Sequence, residues 1–230
     1  MEKSKIVKKI EAFAPLETQE KWDCSGFAVQ TARNDIKKIM LCLTVTENVV
    51  RQAREQNCDM IISHHPLFFV PLQWRDIDIY CAHTNLDKAQ GGTTDTLIKT
   101  LGFEISDTQE FVRYVDVEIT VEECLMKLKA ISPNLRYVNN NGVNILKRIA
   151  FCAGSGSEFI QEAYDNGADA FVTGDLKFHT ALESPIVVFD IGHFESEILV
   201  LPVFERLVGS EVKFIYADEK SPFQNLDNQN

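Results

Sequence analysis

Residues 38–63 read KIMLCLTVTENVVRQAREQNCDMIIS, and the order of apolar and polar positions in this stretch predicts the fold class. Residues 38–45 form an apolar run of strand length, and Thr46 then precedes a segment with helical spacing that extends to about Asn57. Residues 59–63 are a second apolar run. A strand, a helix and a strand in this order are typical of a βαβ unit with parallel strands.

The same alternation extends outward from this stretch in both directions. Before it, Ile6, Ile10 and Phe13 recur at helical spacing. After it, strands are predicted at 77–82 and near 112–119, and helices at 93–101 and from the capping box of Thr120 and Glu123 to about 131, with a further series to 216. This pattern predicts an α/β fold with largely parallel central strands.

The second half of the chain matches the first at an offset of 110 residues. Between residues 37 and 83 the identical pairs are Lys37 and Lys147, Ile39 and Ile149, Cys42 and Cys152, Ala53 and Ala163, Asp59 and Asp169, Phe68 and Phe178, Leu72 and Leu182, and His83 and His193. The preserved register predicts two related α/β lobes, at 1–110 and 111–220, followed by a polar tail at 221–230. Chance similarity between two α/β segments is the alternative.

Composition and charge exclude some classes of protein. The net charge of -11 argues against a dedicated nucleic-acid binder, although a small anionic substrate held by metal ions remains compatible with it. The N-terminus has no secretory signal pattern, and the longest apolar runs are too short for a membrane span. The six cysteines show no CxxC spacing and are expected to be reduced and buried. We expect a cytoplasmic protein.

Histidines mark the candidate site, because all five of them follow predicted strands. They are His64, His65, His83, His179 and His193. In open α/β sheets ligands bind beyond the carboxyl ends of strands. Imidazole together with carboxylate is a common ligand set for zinc, iron, manganese, cobalt or nickel. The sequence therefore predicts a metal site.

Two of these histidines are followed four residues later by a carboxylate. His83 precedes Asp87, and at the matching position of the repeat His193 precedes Glu197. Positions i and i+4 share one face of a helix, so either pair is able to present a nitrogen and an oxygen ligand to one point. A single such pair is usually a solvated helix face. The combined set suits two ions that share a bridging ligand.

Two further motifs allow two interpretations each. Asp175 and His179 are either a turn aspartate and a surface histidine, or a pair that contacts the substrate or supports the metal ligands. The glycines at 154 and 156 either hold a phosphate with their backbone N–H groups or form a tight turn between strand and helix. The absence of a P-loop lysine favours the turn. Trp22 and Asp23 precede Gly26, which marks a turn, and both are candidates to line the cleft of the metal site.

Five motifs in this order resemble the Nif-three-like family, whose members are often named GTP cyclohydrolase I type 2 homologues. They are WDCSGF at 22–27, SHHPLFF at 63–69, AHTNLDKAQGGTTD at 82–95, TGDLKFH at 173–179 and IGHFESE at 191–197. The resemblance covers nearly the whole chain. It implies two related α/β lobes, a dinuclear metal site in the cleft between them, and a ring-shaped homohexamer.

The resemblance also implies roles for individual residues. The family's metal ligands fall on five positions, which are His64, His65, Asp87, His193 and Glu197. The repeat alone places His83 level with His193 as a ligand, whereas the family pattern makes it a neighbour of the site and a candidate acid/base group. The chain departs from the common pattern at Cys24, Thr44 and Thr94, where members have Asn, Asp and Asn. No inserted domain separates the lobes.

Two functions are compatible with these residues. The first is a metal-dependent hydrolase that acts on a small molecule, for which a nucleotide or phosphoester is the expected class and GTP ring opening the activity that the family name implies. The alternative is a non-catalytic protein that handles metal or regulates a partner. The candidate ligands do not distinguish the two.

Overall fold

The computed structural model describes residues 1–223, and within them the chain forms two compact units. Unit 1 consists of Met1–Gly92 and Val200–Lys220, and unit 2 consists of Thr93–Leu199 together with residues 221–223. These units differ from the lobes expected at 1–110 and 111–220, because the last helix and strand of the chain pack in unit 1. Most of the predicted polar tail, 224–230, lies outside the described residues.

The first part of unit 1 contains three helices and four strands. In chain order they are α1 (Lys3–Phe13), β1 (Gly26–Val29), β2 (Lys38–Cys42), α2 (Glu47–Glu55), β3 (Met60–Ser63), β4 (Asp78–Cys81) and α3 (Thr84–Lys88). The βαβ unit predicted for residues 38–63 is confirmed, since β2 and β3 pair in parallel. The Thr46 side chain accepts a hydrogen bond from the amide of Val49 and so caps α2.

Unit 2 follows with a six-stranded sheet. Its elements are α4 (Thr93–Thr100), β5 (Asp107–Thr108), β6 (Arg113–Thr120), α5 (Val121–Lys129), β7 (Arg136–Val138), β8 (Ile145–Phe151), α6 (Ile160–Asp165), β9 (Ala170–Thr173), α7 (Phe178–Glu183), β10 (Val187–Asp190) and α8 (His193–Glu197). The strand order is β5-β6-β8-β9-β10-β7. The central strands β8, β9 and β10 are parallel, and the outer pairings are antiparallel.

The chain then returns to unit 1 through α9 (Leu201–Val208) and β11 (Lys213–Tyr216). β11 pairs in parallel with β2, which completes a five-stranded sheet of order β1-β4-β3-β2-β11. In this sheet β11, β2, β3 and β4 are all parallel, and β1 is an antiparallel edge. The predicted α/β class with parallel central strands is confirmed.

Central strands of both units are buried on their two faces. In unit 2, Phe171 and Val188 pack into one apolar cluster while their chain neighbours Val172 and Phe189 pack into another. Successive side chains of a strand point to opposite faces, so a doubly covered strand needs a continuous apolar run. Among the described residues, no helix has both the length and the apolar character that a membrane crossing requires.

Candidate metal centre

Three parallel strands of unit 1 deliver polar side chains to one edge of the sheet. His64 and His65 come directly after β3, and His83 comes two residues after the end of β4. Thr44 lies two residues after β2. Since the carboxyl ends of neighbouring parallel strands meet at one edge, side chains that are distant in sequence become neighbours there.

His64 is fully buried, and its two ring nitrogens face different partners. Nδ1 lies 3.0 Å from the carbonyl oxygen of Ala82, and Nε2 lies 3.5 Å from Oδ1 of Asp87. A carbonyl oxygen only accepts hydrogen bonds, so Nδ1 carries the hydrogen and the lone pair of the neutral ring is on Nε2. Two electron-pair donors therefore point at each other, an arrangement that a bound cation stabilises. These groups fit a divalent metal ion.

His65 and His83 surround the same point. The ring centroids are 5.2 Å apart for His64 and His65, 5.2 Å for His64 and His83, and 5.7 Å for His65 and His83. One ligand atom from each ring lies within 4.8 Å of the others. Nδ1 of His65 is 2.7 Å from Oγ1 of Thr44, which fixes that ring. By geometry alone, His83 is as well placed as the two neighbouring histidines to bind an ion.

Asp23 contacts His83 through the ring nitrogen Nδ1. Its carboxylate lies 3.1 Å from Nδ1 of His83 and accepts hydrogen bonds from the Ser25 hydroxyl and from the amide and hydroxyl of Thr84. Burial works to raise the pKa of Asp23, but hydrogen bonds from Thr84 and the interaction with His83 lower it overall. Burial, assisted by the neighbouring His64, lowers the pKa of His83. Asp23 therefore acts as the carboxylate that orients this imidazole.

Glu219 is a contributor that the sequence did not reveal. Its two carboxylate oxygens accept hydrogen bonds from the backbone amides of Leu43 (2.7 Å) and Thr44 (3.0 Å). Burial raises the pKa of Glu219, against the effect of these hydrogen bonds and of His65. The carboxylate thus fixes the residue whose hydroxyl contacts His65. Its sequence separation from the site leaves no local pattern by which to find it.

Unit 2 carries a second set of ligand groups at the ends of its parallel strands. His193 begins α8 just after β10 and lies between two carboxylates: Nδ1 is 2.7 Å from Oδ2 of Asp175, and Nε2 is 2.9 Å from Oε2 of Glu197. Burial works to lower the pKa of His193, but Glu197 and Asp175 together raise it to about 9. Cations are therefore favoured at this histidine, and Nε2 with Glu197 is the pair that fits a metal ion.

Gly154 leaves room for Glu197 in unit 2. A Cβ atom at this position would lie 2.1 Å from Oε1 of Glu197, and the backbone φ of +71° already disfavours any side chain. The amide of Gly154 also donates a hydrogen bond to the hydroxyl oxygen of Ser196, at 2.9 Å. A tight strand-to-helix turn that packs against a candidate ligand accounts for this glycine without a bound phosphate.

The two remaining candidates, Asp175 and His179, have different surroundings in the structure. Asp175 contacts His193, which agrees with the interpretation that it supports a ligand. His179 is exposed and packs its ring on Phe178, with a centroid separation of 5.3 Å. The structure therefore brings Asp175, but not His179, against a candidate ligand within unit 2.

Sequence positions that depart from the resembled pattern lie close to these groups. Thr44 contacts His65 in unit 1, and Thr94 accepts a hydrogen bond from the amide of Ala153, next to Gly154 in unit 2. Cys24 is exposed, which corrects the expectation that all cysteines are buried, while the other five cysteines are buried.

Together the fold and these side chains define an α/β protein whose strand ends carry histidine and carboxylate groups suited to divalent metal ions. The family model described as Duf34/NIF3 (NGG1p interacting factor 3) matches residues 1–222. The chain belongs to this family, and the resemblance drawn from the five motifs is confirmed.

Relatives with assigned names agree with this membership. A protein of Clostridium perfringens named GTP cyclohydrolase 1 type 2 homolog is 35% identical, with 97% of this chain and 99% of the relative covered. One of the same name from Campylobacter jejuni is 32% identical, with 97% and 99% covered. The NGG1-interacting factor 3 of Saccharomyces cerevisiae is 26% identical, with 78% of this chain and 79% of the relative covered.

Solved structures show the same fold. A hypothetical protein from Staphylococcus aureus superposes with a TM-score of 0.86 at 23% identity, with 98% of this chain and 99% of that chain covered. Reduced HcgD from Methanocaldococcus jannaschii superposes with a TM-score of 0.83 at 26% identity, with 95% and 98% covered.

Proposed function

We propose that the protein binds two divalent metal ions and hydrolyses a small molecule, with a nucleotide or phosphoester as the substrate class. The ligands are His64, His65, Asp87, His193 and Glu197. The observation that carries the proposal is the orientation of His64, whose Nδ1 is committed to the carbonyl of Ala82 while Nε2 is directed at Asp87. The metal is one of zinc, iron, manganese, cobalt or nickel, because imidazole and carboxylate suit all of these.

Metal ions at these ligands would supply a water of lowered pKa and would polarise the bond that is attacked. The chain itself supplies a group for proton transfer. Asp23 binds His83 at Nδ1, so Nε2 is the atom of His83 that accepts or delivers a proton. Asp175 and His179 are the candidate substrate contacts of unit 2. The net charge of -11 does not attract an anionic substrate, so attraction has to come from the ions.

The metal content tests the first part of this proposal. We expect two ions per chain by elemental analysis, after purification without chelator and reloading with zinc, manganese or iron, because five ligands exceed the needs of one tetrahedral ion. Fewer than one ion per chain after reloading would contradict the dinuclear site.

Replacement of His83 by alanine tests the catalytic part. We expect His83→Ala to keep the metal content of the wild type and to lose at least about 100-fold in turnover, the usual effect of removing a general acid or base. His179→Ala, which removes an exposed histidine of the other unit, is the control for metal content and should retain the wild-type value. The assay is a panel of nucleotides, phosphoesters and cyclic amides with metal-loaded protein.

Two outcomes of the His83 experiment would contradict the assignment. A fall in metal content would make His83 a ligand, as the geometry of the three imidazoles allows. If the metal-loaded wild type turns over no member of the panel, the hydrolase is overturned in favour of the non-catalytic metal-handling or regulatory role.

A homo-oligomer, a hexamer by the family resemblance, is part of the same proposal. It is supported by large apolar side chains on the surface of each unit, among them Phe68, Phe69 and Leu72 in unit 1 and Phe178 in unit 2, each at least 70% exposed. We expect light scattering to give the mass of six 26.1 kDa chains and Phe69→Asp to reduce it. A wild-type monomer at micromolar concentration would contradict this proposal.

A further inference from the structure

A buried carboxylate in unit 2 ties together the two loops that carry Asp175 and His193. Asp190, the last residue of β10, is 4% exposed. Its Oδ2 accepts a hydrogen bond from the amide of Leu176 and its Oδ1 accepts one from the amide of Gly192, both at 3.1 Å. Leu176 follows Asp175, and Gly192 precedes His193.

Arg136 completes this connection from the neighbouring strand. Arg136 and Asp190 are register partners in the antiparallel pair of β7 and β10. The guanidinium donates from Nε to Oδ2 of Asp190 at 2.8 Å, and its Nη2 lies 2.6 Å from the same oxygen. Nη2 also donates to the carbonyl of Leu176 at 2.9 Å. Both backbone groups of Leu176 are therefore bound by this ion pair.

The backbone held in this way is in a conformation that residues other than glycine seldom adopt. Asp175 has a φ of +55°, in the left-handed region that disfavours residues with a Cβ atom. Such a conformation persists when neighbouring interactions enforce it. Here the bonds to Leu176 fix the peptide that follows Asp175, and with it the carboxylate that contacts Nδ1 of His193.

We propose that Arg136 and Asp190 are positioning residues, which hold Asp175 against Nδ1 of His193 and so present Nε2 of His193 as a metal ligand. The inference rests on the proposed function, in which His193 binds a metal ion. A histidine ligand commonly donates its second N–H to a carboxylate, which fixes the ring and its tautomer. Arginine suits the role because its rigid planar fork fixes the directions of its bonds to the carboxylate and the carbonyl, whereas a lysine ammonium is a point charge without that geometry.

The same sheet contains a matched pair for comparison. Asp116 and Arg148 are also antiparallel register partners, in β6 and β8, and Nη1 of Arg148 donates to Oδ1 of Asp116 at 2.8 Å. Asp116 is on the exposed part of β6, and the second carboxylate of Arg148 is that of Asp107. Loss of this pair removes an aspartate–arginine contact from unit 2 without touching the loops of Asp175 and His193.

The experiment compares Asp190→Asn, Arg136→Lys and the control Asp116→Asn in the full-length chain. The first readout, in metal-free protein, is the Nδ1–H resonance of His193 in nitrogen-15 NMR, which is visible while the proton is held by Asp175. The second is the affinity for Zn²⁺ in competition with a chelator. Urea unfolding identifies any variant that fails to fold, and Arg136→Lys, which keeps the charge, then carries the test.

We expect both site variants to broaden or lose the His193 resonance and to bind Zn²⁺ about 10- to 100-fold more weakly, the usual effect of removing a group that orients a ligand. The control should match the wild type. An unchanged His193 resonance in folded Asp190→Asn, or an equal loss in Asp116→Asn, would overturn the positioning role. If the wild type binds no Zn²⁺ while the resonance still responds, the positioning role stands and the metal function fails.

Discussion

Replacement of His64 by asparagine is expected to reduce the metal content from two ions per chain to one or none. The asparagine amide is able to take the place of Nδ1 and to donate to the carbonyl of Ala82, but it provides nothing at the position of Nε2. The substitution therefore removes a ligand while it keeps the buried hydrogen bond. Elemental analysis after reloading with zinc measures the result.

His179→Asn is the control for this experiment, because it makes the same chemical change at an exposed histidine. It should retain the wild-type metal content. Retention of two ions by His64→Asn would show that His64 is not a ligand. Urea unfolding of both variants distinguishes a lost ligand from a lost fold.

Gly154→Ala is expected to have the second large effect. The added methyl would lie 2.1 Å from Oε1 of Glu197, so either the turn or the carboxylate has to move. We expect a loss of about 3 kcal/mol or more in the free energy of unfolding, together with a lower metal content. Urea unfolding and elemental analysis measure the two effects.

Gly142→Ala separates the steric effect of Gly154→Ala from backbone strain. Gly142 also has a positive φ, of +65°, but no atom lies within 4 Å of its added Cβ. It should cost only about 1–2 kcal/mol, the penalty for a left-handed backbone. Equal costs for the two variants would contradict the close packing of Gly154 against Glu197.

Much of the fold was predictable, because a central parallel strand needs a continuous apolar run whatever surrounds it. The strand predicted at residues 38–45 is longer than the strand observed, because an apolar run does not define where strand pairing stops. β2 stops at Cys42 because the next two amides bond to Glu219 and not to a neighbouring strand. The apolar pattern continues past Cys42, but beyond it the strand amides bond to a side chain, although the Leu43 carbonyl still accepts a hydrogen bond from the amide of His65.

The candidate ligands were also within reach of the sequence, since histidines after strands recur in a visible pattern. Of the groups that orient them, Asp175 was predicted as a possible support for the ligands, but Asp190, Arg136 and Glu219 were not. No role was predicted for Asp190, and its contact depends on Arg136, which is far away in the sequence. Asp23 was considered as part of the lining of the cleft, but its contact with His83 was not predicted. Such contacts depend on tertiary packing and leave no local periodicity.

The late return of the chain to unit 1 has a consequence for folding during synthesis. Every strand of the unit 2 sheet lies between residues 107 and 190, so that sheet can be completed before β11 has left the ribosome. Until residues 213–216 emerge, the outer edge of β2 has no partner, and an unpaired strand edge is a site of aggregation. The nascent unit 1 is therefore exposed to misassembly for most of translation. A chaperone that covers this edge would protect unit 1 until β11 has paired.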